Sequence, residues 1–329
     1  MAARAERTGH VAETLWSRDE EQEEPRRTPS DSIRVRVPAK INLHLGVGPL
    51  RPDGYHELHT VYHAISLFDE LTARRGDTLT LTMEGVGAGE LALDESNLVV
   101  RAALRLAEYA GVPPHARLHL RKQIPIAAGL AGGSADAAAT LVACDALWGT
   151  GLSREELAQL AAGLGADVPF LVYGGTALGT GFGEQVSPVL TPGGQWHWVV
   201  AISEEGLPTP AIYRELDRLR AAGQAPAPLP DPARLLSALR QRDPEALASV
   251  LGNDLAAAVL SVRPQLRGVL NAGQAAGALA GLISGSGPTC LFLARDAHHA
   301  REVARALEQQ GVCREVRTAH GPVPGARVT

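Results

Sequence analysis

The chain has 329 residues, of which 45% are hydrophobic and 20% are charged, and its formal net charge is -5. This composition is typical of globular proteins with a sizeable core and excludes a disordered or fibrous chain. The net negative charge provides no positive electrostatic field to attract the phosphate backbone of a nucleic acid, so we expect no nucleic-acid partner. We expect no membrane partner either, because no apolar run approaches the ~20 residues that cross a bilayer.

The three cysteines are Cys144, Cys290 and Cys313. Their odd number and the absence of C-x-x-C spacing argue against a disulfide framework and against a structural zinc site. This pattern fits a reducing compartment, and we expect the protein to be cytoplasmic.

The N-terminal segment is rich in acidic residues and contains no long apolar stretch. Transit peptides are poor in acidic residues, and a secretory signal needs an apolar segment. The sequence therefore predicts a disordered N-terminal tail over residues 1–32.

Lysine is nearly absent: of the 31 basic residues only Lys40 and Lys122 are lysines. Lysine carries a compact point charge, whereas arginine carries a wide planar fork. A lysine retained in such a chain is a candidate for a task that arginine cannot perform. The alternative is genome bias, with two lysines surviving by chance on the surface.

Ordered patterning begins at Ile33, where apolar residues alternate with a period of two in a strand interrupted near Pro38. This alternation places Lys40, Asn42 and His44 on one face. That face is either a functional surface or an ordinary solvated strand face. A turn at residues 51–54 precedes a second extended stretch, so we predict a β-meander.

Three histidines in this region, His56, His59 and His63, raise the question of a metal site. No neighbouring cysteine or carboxylate pattern completes a known ligand set. We therefore leave the metal ligands unassigned.

A helix is predicted to follow Asn97 and to end near Gly111, and an alternating strand pattern then leads toward Pro125. The next segment, residues 125–134, is a glycine-rich loop that leads into an alanine-rich helix from about residue 135 to Trp148. Such a loop presents backbone N–H groups and the positive end of a helix dipole to a phosphate chain. Ser134 suits the N-cap of this helix. The loop matches neither the P-loop nor the G-x-G-x-x-G pattern, and its alternative role is close helix packing.

Later segments mix helices and strands. Residues 153–162 form a predicted helix, and Gly179–Gly183 is interpreted as a tight loop. Mixed elements in both halves predict an α+β fold. We predict an N-terminal domain over residues 33–195, a C-terminal domain over residues 196–318 and a flexible C-terminal tail over residues 319–329.

Three separated motifs resemble those of the GHMP kinases, the superfamily of galactokinase, homoserine kinase, mevalonate kinase and phosphomevalonate kinase. They are Pro38–Leu43, Pro125–Ala138 and Ser284–Thr289. Ala128 and Ala131 replace glycines that some relatives carry.

Three further segments resemble the 4-diphosphocytidyl-2-C-methyl-D-erythritol kinases within that superfamily. They are Asp53–His56, Leu164–Pro169 and Pro208–Tyr213. The resemblance covers about residues 34–318. It implies a two-domain GHMP-kinase-like fold with its active site between the domains. It also implies transfer of the γ-phosphoryl group of ATP, with Mg²⁺, to the 2-hydroxyl of a small-molecule acceptor in the non-mevalonate route to isoprenoids.

The resemblance assigns two catalytic residues. Asp167 would accept the proton of the acceptor hydroxyl, although an aspartate before Pro169 is also a common helix N-cap. Lys40 would lie beside Asp167, favouring the ionised carboxylate and the developing alkoxide.

The resemblance also implies binding residues. Asn97 and Lys122 would lie near the nucleotide, and Ser134 would hold Mg²⁺ or a phosphate oxygen. The other residues implied in ATP binding are Pro125, Ile126, Ala127, Ala128, Gly129, Leu130, Ala131, Gly132, Gly133 and Ala135. On the acceptor side, Tyr55 and Tyr213 would sandwich the cytosine ring, and His56 and Asn42 would make polar contacts.

Two alternatives stay open at this point. Another GHMP kinase, such as a homoserine kinase, would not need the pair Tyr55 and Tyr213. A ligand sensor that has kept only the fold predicts a broken pair of Lys40 and Asp167, and both residues are present. The oligomeric state is not predicted.

Overall fold

The computed structural model describes residues 32–203 and 205–329, so the predicted tail lies outside the described residues except for its last position. The strands are β1 (Ser32–Leu50), β2 (His56–Arg74), β3 (Thr80–Gly85), β4 (Arg117–Lys122), β5 (Thr176–Thr180), β6 (Gln185–Pro188), β7 (Trp196–Ile202), β8 (Gly252–Asn253), β9 (Ala280–Ile283), β10 (Cys290–Ala294), β11 (Glu315–Gly321) and β12 (Arg327–Val328). The helices are α1 (Leu98–Ala110), α2 (Gly132–Trp148), α3 (Arg154–Ala162), α4 (Val168–Tyr173), α5 (Thr209–Ala221), α6 (Ala233–Gln241), α7 (Pro244–Ala248), α8 (Ala256–Val262), α9 (Leu266–Ala275) and α10 (Ala297–Gln310).

The larger sheet has the order β12-β1-β2-β4-β3, with β5 and β8 pairing at its centre. The longest pairing in this sheet is the antiparallel pairing of β1 with β2, as expected for the predicted meander. The pairing register shifts between Pro38 and Ala39, at the predicted interruption. Proline has no N–H to donate to a neighbouring strand, which accounts for a bulge at this point.

Both faces of β1 are buried over residues 37–47, in the middle of the strand. Ile41 and Leu43 enter the core, while Lys40, Asn42 and His44 are only 5%, 2% and 3% exposed. The pairing register shifts again between Asn42 and His44, so Lys40 and Asn42 share one face as predicted, but His44 lies on the other. The solvated-face interpretation of these three residues is therefore wrong.

The smaller sheet has the order β11-β7-β10-β9. Its central strand β7 shows the period of two expected when both faces are covered. Trp198 and Val200 pack into the core of the larger sheet. Val199 and Ala201 pack into a second core with apolar residues of α5, α8, α9 and α10. The fold is α+β, as predicted.

Helix boundaries follow local capping chemistry. The side chain of Asn97 accepts a hydrogen bond from the N–H of Val99 at the start of α1, and Gly111 ends the helix with φ 64°. Asp296 caps α10 in the same way. A turn at residues 181–184 joins β5 to β6, so the tight loop predicted at Gly179–Gly183 is present, but Gly179 and Thr180 belong to β5. No helix among the described residues is long and apolar enough to cross a membrane.

The flexible C-terminal tail predicted for residues 319–329 is wrong. Ala326 is fully buried, and its N–H donates to the carbonyl of Leu171 at 2.8 Å. The N–H of Thr329 donates to the carbonyl of Arg34 at 2.9 Å, beside the pairing of β12 with β1. These backbone contacts are made with distant segments, so the composition of the segment itself does not signal them.

The predicted domain boundary at residue 196 coincides with the first residue of β7. The division is incomplete in space, however, because β8 pairs with His44 and Leu45 of β1 in the larger sheet. Residues 196–318 thus contribute one strand to the sheet of the other half.

The three histidines of β2 have different surroundings. His63 is fully buried with Nδ1 2.9 Å from the Thr176 hydroxyl, and His59 is exposed. His56 is buried beside the carbonyl of Gly48. Among the described residues there is no group of three or more histidines, cysteines or carboxylates suited to a metal ion.

We expect His63 to make the fold sensitive to acid. Burial lowers its pKa from 6.5 to about 3, so as pH falls below 6.5 the unfolded chain takes up a proton that the folded chain does not. Stability is therefore unaffected by His63 above pH ~6.5 and falls below it, by about 3 kcal/mol near pH ~4.5. Urea unfolding near neutral pH and near pH ~4.5 tests this. The His63→Gln variant should lose less stability between these pH values than wild type, and an equal loss would contradict the assignment.

Candidate active site

A cavity of about 580 Å³ lies between the larger sheet and the smaller sheet with its helices. Its walls are the polar face of β1, the glycine-rich turn before α2, the start of α4, the β5–β6 turn, the start of α5 and the β9–β10 turn. Three segments distant in sequence meet there. The N–H of Lys40 donates to the carbonyl of Leu130 at 3.2 Å, and the Ser284 hydroxyl donates to the carbonyl of Gly129 at 2.9 Å.

The glycine-rich turn exposes the start of α2. Ala127, Gly129 and Ala131 have φ values of 50°, 75° and 57°, so every second residue of the turn has a positive φ before the helix begins at Gly132. No side chain caps this helix. Its first N–H groups are thus free to bind an anion in the cavity, where the helix dipole adds to the attraction.

The predicted N-cap role of Ser134 is wrong, because the helix begins earlier than predicted. Ala131 occupies the N-cap position in a left-handed conformation, and Ser134 is the third helical residue. Its side chain lines the cavity.

The residues predicted to bind ATP divide into two groups. Those that line the cavity are Ala127, Ala128, Gly129, Ala131, Gly132, Gly133 and Ser134. Pro125, Ile126, Leu130 and Ala135 are not part of its wall, and the last two are fully buried in the core. The sequence motif therefore includes residues that support the turn as well as residues that form the site.

Asn97 and Lys122, both predicted to lie near the nucleotide, have side chains that bond to other groups of the chain. The side chain of Asn97 caps α1 and donates to the carbonyl of Ala92 at 2.7 Å. The ammonium of Lys122 is buried between Asp69 and Asp136, at 2.7 Å from each. Neither side chain lines the cavity.

Lys40 and Asp167 come together as predicted. Nζ of Lys40 lies 3.6 Å from Oδ2 of Asp167 and donates to Oδ1 of Asn42 at 2.8 Å. Asp167 occupies the N-cap position of α4 with Pro169 in the first turn, but its side chain makes no capping bond. The carboxylate is therefore available to the cavity, where its side chain is 29% exposed against 7% for Lys40.

Tyr62 belongs to this cluster and was missed by the sequence analysis. Its ring is stacked on Phe170, with centroids 4.9 Å apart, and it lines the cavity. Burial raises the pKa of Tyr62 well above its usual value, and the nearby Asp167 carboxylate raises it further. The hydroxyl thus stays protonated on the side of the cavity that holds Asp167.

The predicted aromatic pair is only partly in the cavity. Tyr213 lines it, and burial raises the pKa of Tyr213 to about 12. Tyr55 is 63% exposed and lies outside the wall, with its ring centroid 5.2 Å from that of Phe182, which does line the cavity.

The predicted acceptor contacts also divide. Asn42 lines the cavity, but His56 does not. Nδ1 of His56 lies 3.0 Å from the carbonyl of Gly48, and Nε2 lies 3.3 Å from Oδ2 of Asp217. The imidazole is stacked on Tyr213 with centroids 5.3 Å apart, so His56 supports the ring of Tyr213.

Comparison with known proteins identifies the family. Residues 97–175 match the N-terminal domain of the GHMP kinases, and residues 235–313 match the C-terminal domain. The 4-diphosphocytidyl-2-C-methyl-D-erythritol kinase of Salinispora tropica is 71% identical over 308 residues, which cover 94% of this chain and 98% of that protein. This chain belongs to the 4-diphosphocytidyl-2-C-methyl-D-erythritol kinase family. The member of this kinase family from Mycobacterium tuberculosis is 53% identical over 300 residues, covering 91% of this chain and 94% of the relative.

Solved structures agree with membership of this kinase family. A crystal structure of 4-(cytidine 5'-diphospho)-2C-methyl-D-erythritol kinase has a TM-score of 0.72 at 35% identity, covering 87% of this chain and 98% of that chain. Homoserine kinase from Cytophaga hutchinsonii has a TM-score of 0.74 at 21% identity, covering 92% of this chain and 98% of that chain. The second similarity shows the fold alone, so sequence identity separates the two kinase families where the fold does not.

Other residues that line the cavity of this 4-diphosphocytidyl-2-C-methyl-D-erythritol kinase family member were not predicted. Phe182 lies in the segment interpreted only as a tight loop, and Leu98 follows Asn97. Thr209 and Ser286, whose hydroxyl oxygens are 2.8 Å apart, join the start of α5 to the β9–β10 turn. Thr209 lies in the motif Pro208–Tyr213 and Ser286 lies in the motif Ser284–Thr289. The resemblance of these motifs to those of the kinases could have identified both residues.

Proposed function

We propose that the protein transfers the γ-phosphoryl group of ATP to the 2-hydroxyl of 4-diphosphocytidyl-2-C-methyl-D-erythritol, a step of the non-mevalonate route to isoprenoids. The observation that carries this proposal is the pair of Lys40 and Asp167, 3.6 Å apart in a cavity that also holds an uncapped helix start. The first feature suits activation of a hydroxyl, and the second suits binding of a phosphate chain.

The donor side fits ATP. The first N–H groups of α2, from Gly132 to Ser134, would hold phosphate oxygens. A hard cation such as Mg²⁺ takes oxygen ligands and commonly combines a few protein oxygens with substrate phosphates, and the Ser134 hydroxyl supplies such an oxygen in the cavity. When bound, Mg²⁺ neutralises charge on the phosphates.

The acceptor hydroxyl would lie between Asp167 and the phosphate chain. Asp167 takes its proton, and the ammonium of Lys40 stabilises the alkoxide that develops on the acceptor. Asn42 fixes Lys40 through the 2.8 Å hydrogen bond to its ammonium. The chain thus supplies positioned charge and a base, which is most of what phosphoryl transfer requires.

The cytosine ring of the acceptor would bind beside Tyr213 and Phe182, which line the same cavity. Aromatic faces are suitable partners for a flat base. Tyr55 would contact the base at the rim, from its position next to Phe182.

Tyr213→Ala is expected to raise the KM for the acceptor more than the KM for ATP. Stacking of a base on an aromatic side chain contributes ~1 to 3 kcal/mol, so the acceptor KM should rise about tenfold or more. Steady-state kinetics with each substrate varied in turn measures both constants, and Tyr213→Phe serves as the control that keeps the ring. An equal rise in both KM values would show that Tyr213 supports the fold instead of the acceptor.

We also propose a cytoplasmic location. Cys144, Cys290 and Cys313 are all free, as expected in a reducing compartment.

The proposed activity is tested by offering the purified protein MgATP with several acceptors in parallel: 4-diphosphocytidyl-2-C-methyl-D-erythritol, its non-cytidylated phosphate analogue, homoserine and mevalonate. ADP formation with the first acceptor alone is the expected result. Efficient turnover of homoserine or mevalonate, or equal turnover without the cytidine diphosphate group, would overturn the proposal.

A further inference from the structure

A buried cluster of three charged side chains lies outside the cavity wall, behind the glycine-rich turn. It consists of Lys122 with Asp69 and Asp136, and we call it the buried triad. The three side chains are 1%, 0% and 5% exposed, and the ammonium lies 2.7 Å from a carboxylate oxygen of each aspartate. The proposed chemistry does not use these charges directly, so their burial calls for another explanation.

The buried triad joins three elements of the fold. Asp69 lies in β2, Lys122 is the last residue of β4, and Asp136 lies in the second turn of α2. The segment between Lys122 and α2 is the turn that lines the cavity. The three charges therefore connect the strand that precedes this turn, the helix that follows it and the neighbouring strand of the sheet.

Both ends of the turn are held by this cluster. At the first end, Oδ1 of Asp69 accepts hydrogen bonds from the N–H groups of Gln123 at 2.5 Å and Ile124 at 2.8 Å. At the second end, Lys122 bonds to Asp136, one turn along the helix from Gly132. A Cβ atom on Gly132 would lie only 3.4 Å from Nζ of Lys122 and 3.1 Å from Cγ2 of Ile124. The ammonium thus lies directly behind the first residue of α2.

We propose that Lys122, Asp69 and Asp136 are positioning residues for the nucleotide, which fix the N-terminal N–H groups of α2 in the orientation that binds the phosphate chain. This inference rests on the proposed function, because it takes ATP as the ligand of that helix start. Lys122, predicted to lie near the nucleotide, would then act on it through the backbone that its ammonium holds.

A buried ion pair suits this positioning role better than apolar packing between the same elements would. A buried ion pair contributes little net stability compared with apolar side chains of similar size, but it fixes the geometry of its partners closely. A phosphate site that uses backbone N–H groups needs fixed geometry, because each donor must point at a defined oxygen. Loss of the ammonium would remove the donor that joins Asp69 to Asp136, so α2 would no longer be tied to β2.

The test measures affinity for a non-hydrolysable ATP analogue with Mg²⁺ by calorimetry, without any acceptor, alongside the melting temperature. Lys122→Met keeps the stem and removes the ammonium, and we expect its Kd to rise about tenfold or more. The triple variant Lys122→Met, Asp69→Asn, Asp136→Asn removes all three charges. It should recover much of the lost melting temperature, because no buried charge is unpaired, while its Kd stays high.

Asp145→Asn is the matched control. Asp145 lies at the other end of α2, where its carboxylate accepts hydrogen bonds from the Thr150 hydroxyl at 2.5 Å and the N–H of Leu152 at 2.9 Å. This variant should melt at a lower temperature with an unchanged Kd.

Three results would overturn the proposal. They are a Kd of folded Lys122→Met within about twofold of wild type, a triple variant with wild-type Kd, or an equal rise of Kd in Asp145→Asn. If Lys122→Met does not fold, the Kd of the triple variant decides. Because no acceptor is present, these outcomes are independent of which acceptor the enzyme phosphorylates.

Discussion

Asp167→Asn is expected to lower kcat by about 10²- to 10⁴-fold, with small changes in the KM values for ATP and the acceptor. Asparagine keeps the shape of the side chain but cannot take a proton from the acceptor hydroxyl. The carboxylate makes no capping bond to α4, so the substitution removes no hydrogen bond that holds the helix. The loss should therefore appear in the chemical step and leave the fold unchanged.

Steady-state kinetics and thermal melting of Asp167→Asn together check this expectation. Asp145→Asn again provides a control, because it changes an aspartate that lies in α2 away from the cavity wall. A kcat close to wild type for Asp167→Asn would remove this residue from the mechanism. A large fall in melting temperature would instead assign it a structural role.

Lys40→Arg is the second variant expected to have a large effect. We expect its kcat to fall about 10²-fold although the charge is preserved. Lys40 is 5% exposed and its ammonium lies 3.6 Å from Asp167 and 2.8 Å from Asn42. A guanidinium is wider and planar, so it would displace these partners or the reacting oxygen.

Lys122→Arg makes the same chemical change outside the cavity wall. We expect it to weaken ATP binding and to leave kcat less affected, because the buried triad holds the turn and does not touch the reacting atoms. Measurement of kcat and both KM values for the two variants gives the contrast. Normal turnover by Lys40→Arg would mean that lysine has no special task at position 40, and that the scarcity of lysine reflects genome bias.

The scarcity of lysine proved informative. Lys40 and Lys122 are 5% and 2% exposed, so survival by chance on the surface is excluded for both. Both lysines are buried beside a carboxylate, where the difference in size and shape between an ammonium and a guanidinium has its largest effect. Composition could indicate that these residues are special, but only the fold shows that one lines the cavity and the other lies behind its wall.

Local patterns predicted the elements and part of the site. The period of two in β1 placed Lys40 and Asn42 on one face, and capping signals gave the ends of α1. Those signals are local, since side-chain direction and capping depend on near neighbours in the chain.

The failures have a common physical origin in contacts between distant segments. The left-handed conformation of Ala131 starts α2 early and removes Ser134 from the N-cap, although nothing in the sequence around an alanine signals it. The pairing of β12 with β1 orders the C-terminal segment. Phe182 reaches the cavity because the β5–β6 turn folds toward it. Periodicity within one segment carries no information on such contacts.

The most direct test of the central claim is identification of the reaction product. Wild-type enzyme is incubated with MgATP and 4-diphosphocytidyl-2-C-methyl-D-erythritol, and the product is analysed by phosphorus and carbon NMR. The proposed mechanism predicts one ADP for each acceptor consumed and a new phosphomonoester on the 2-hydroxyl, with the cytidine diphosphate group intact. ATP hydrolysis without a phosphorylated acceptor, or phosphate on a different hydroxyl, would contradict it.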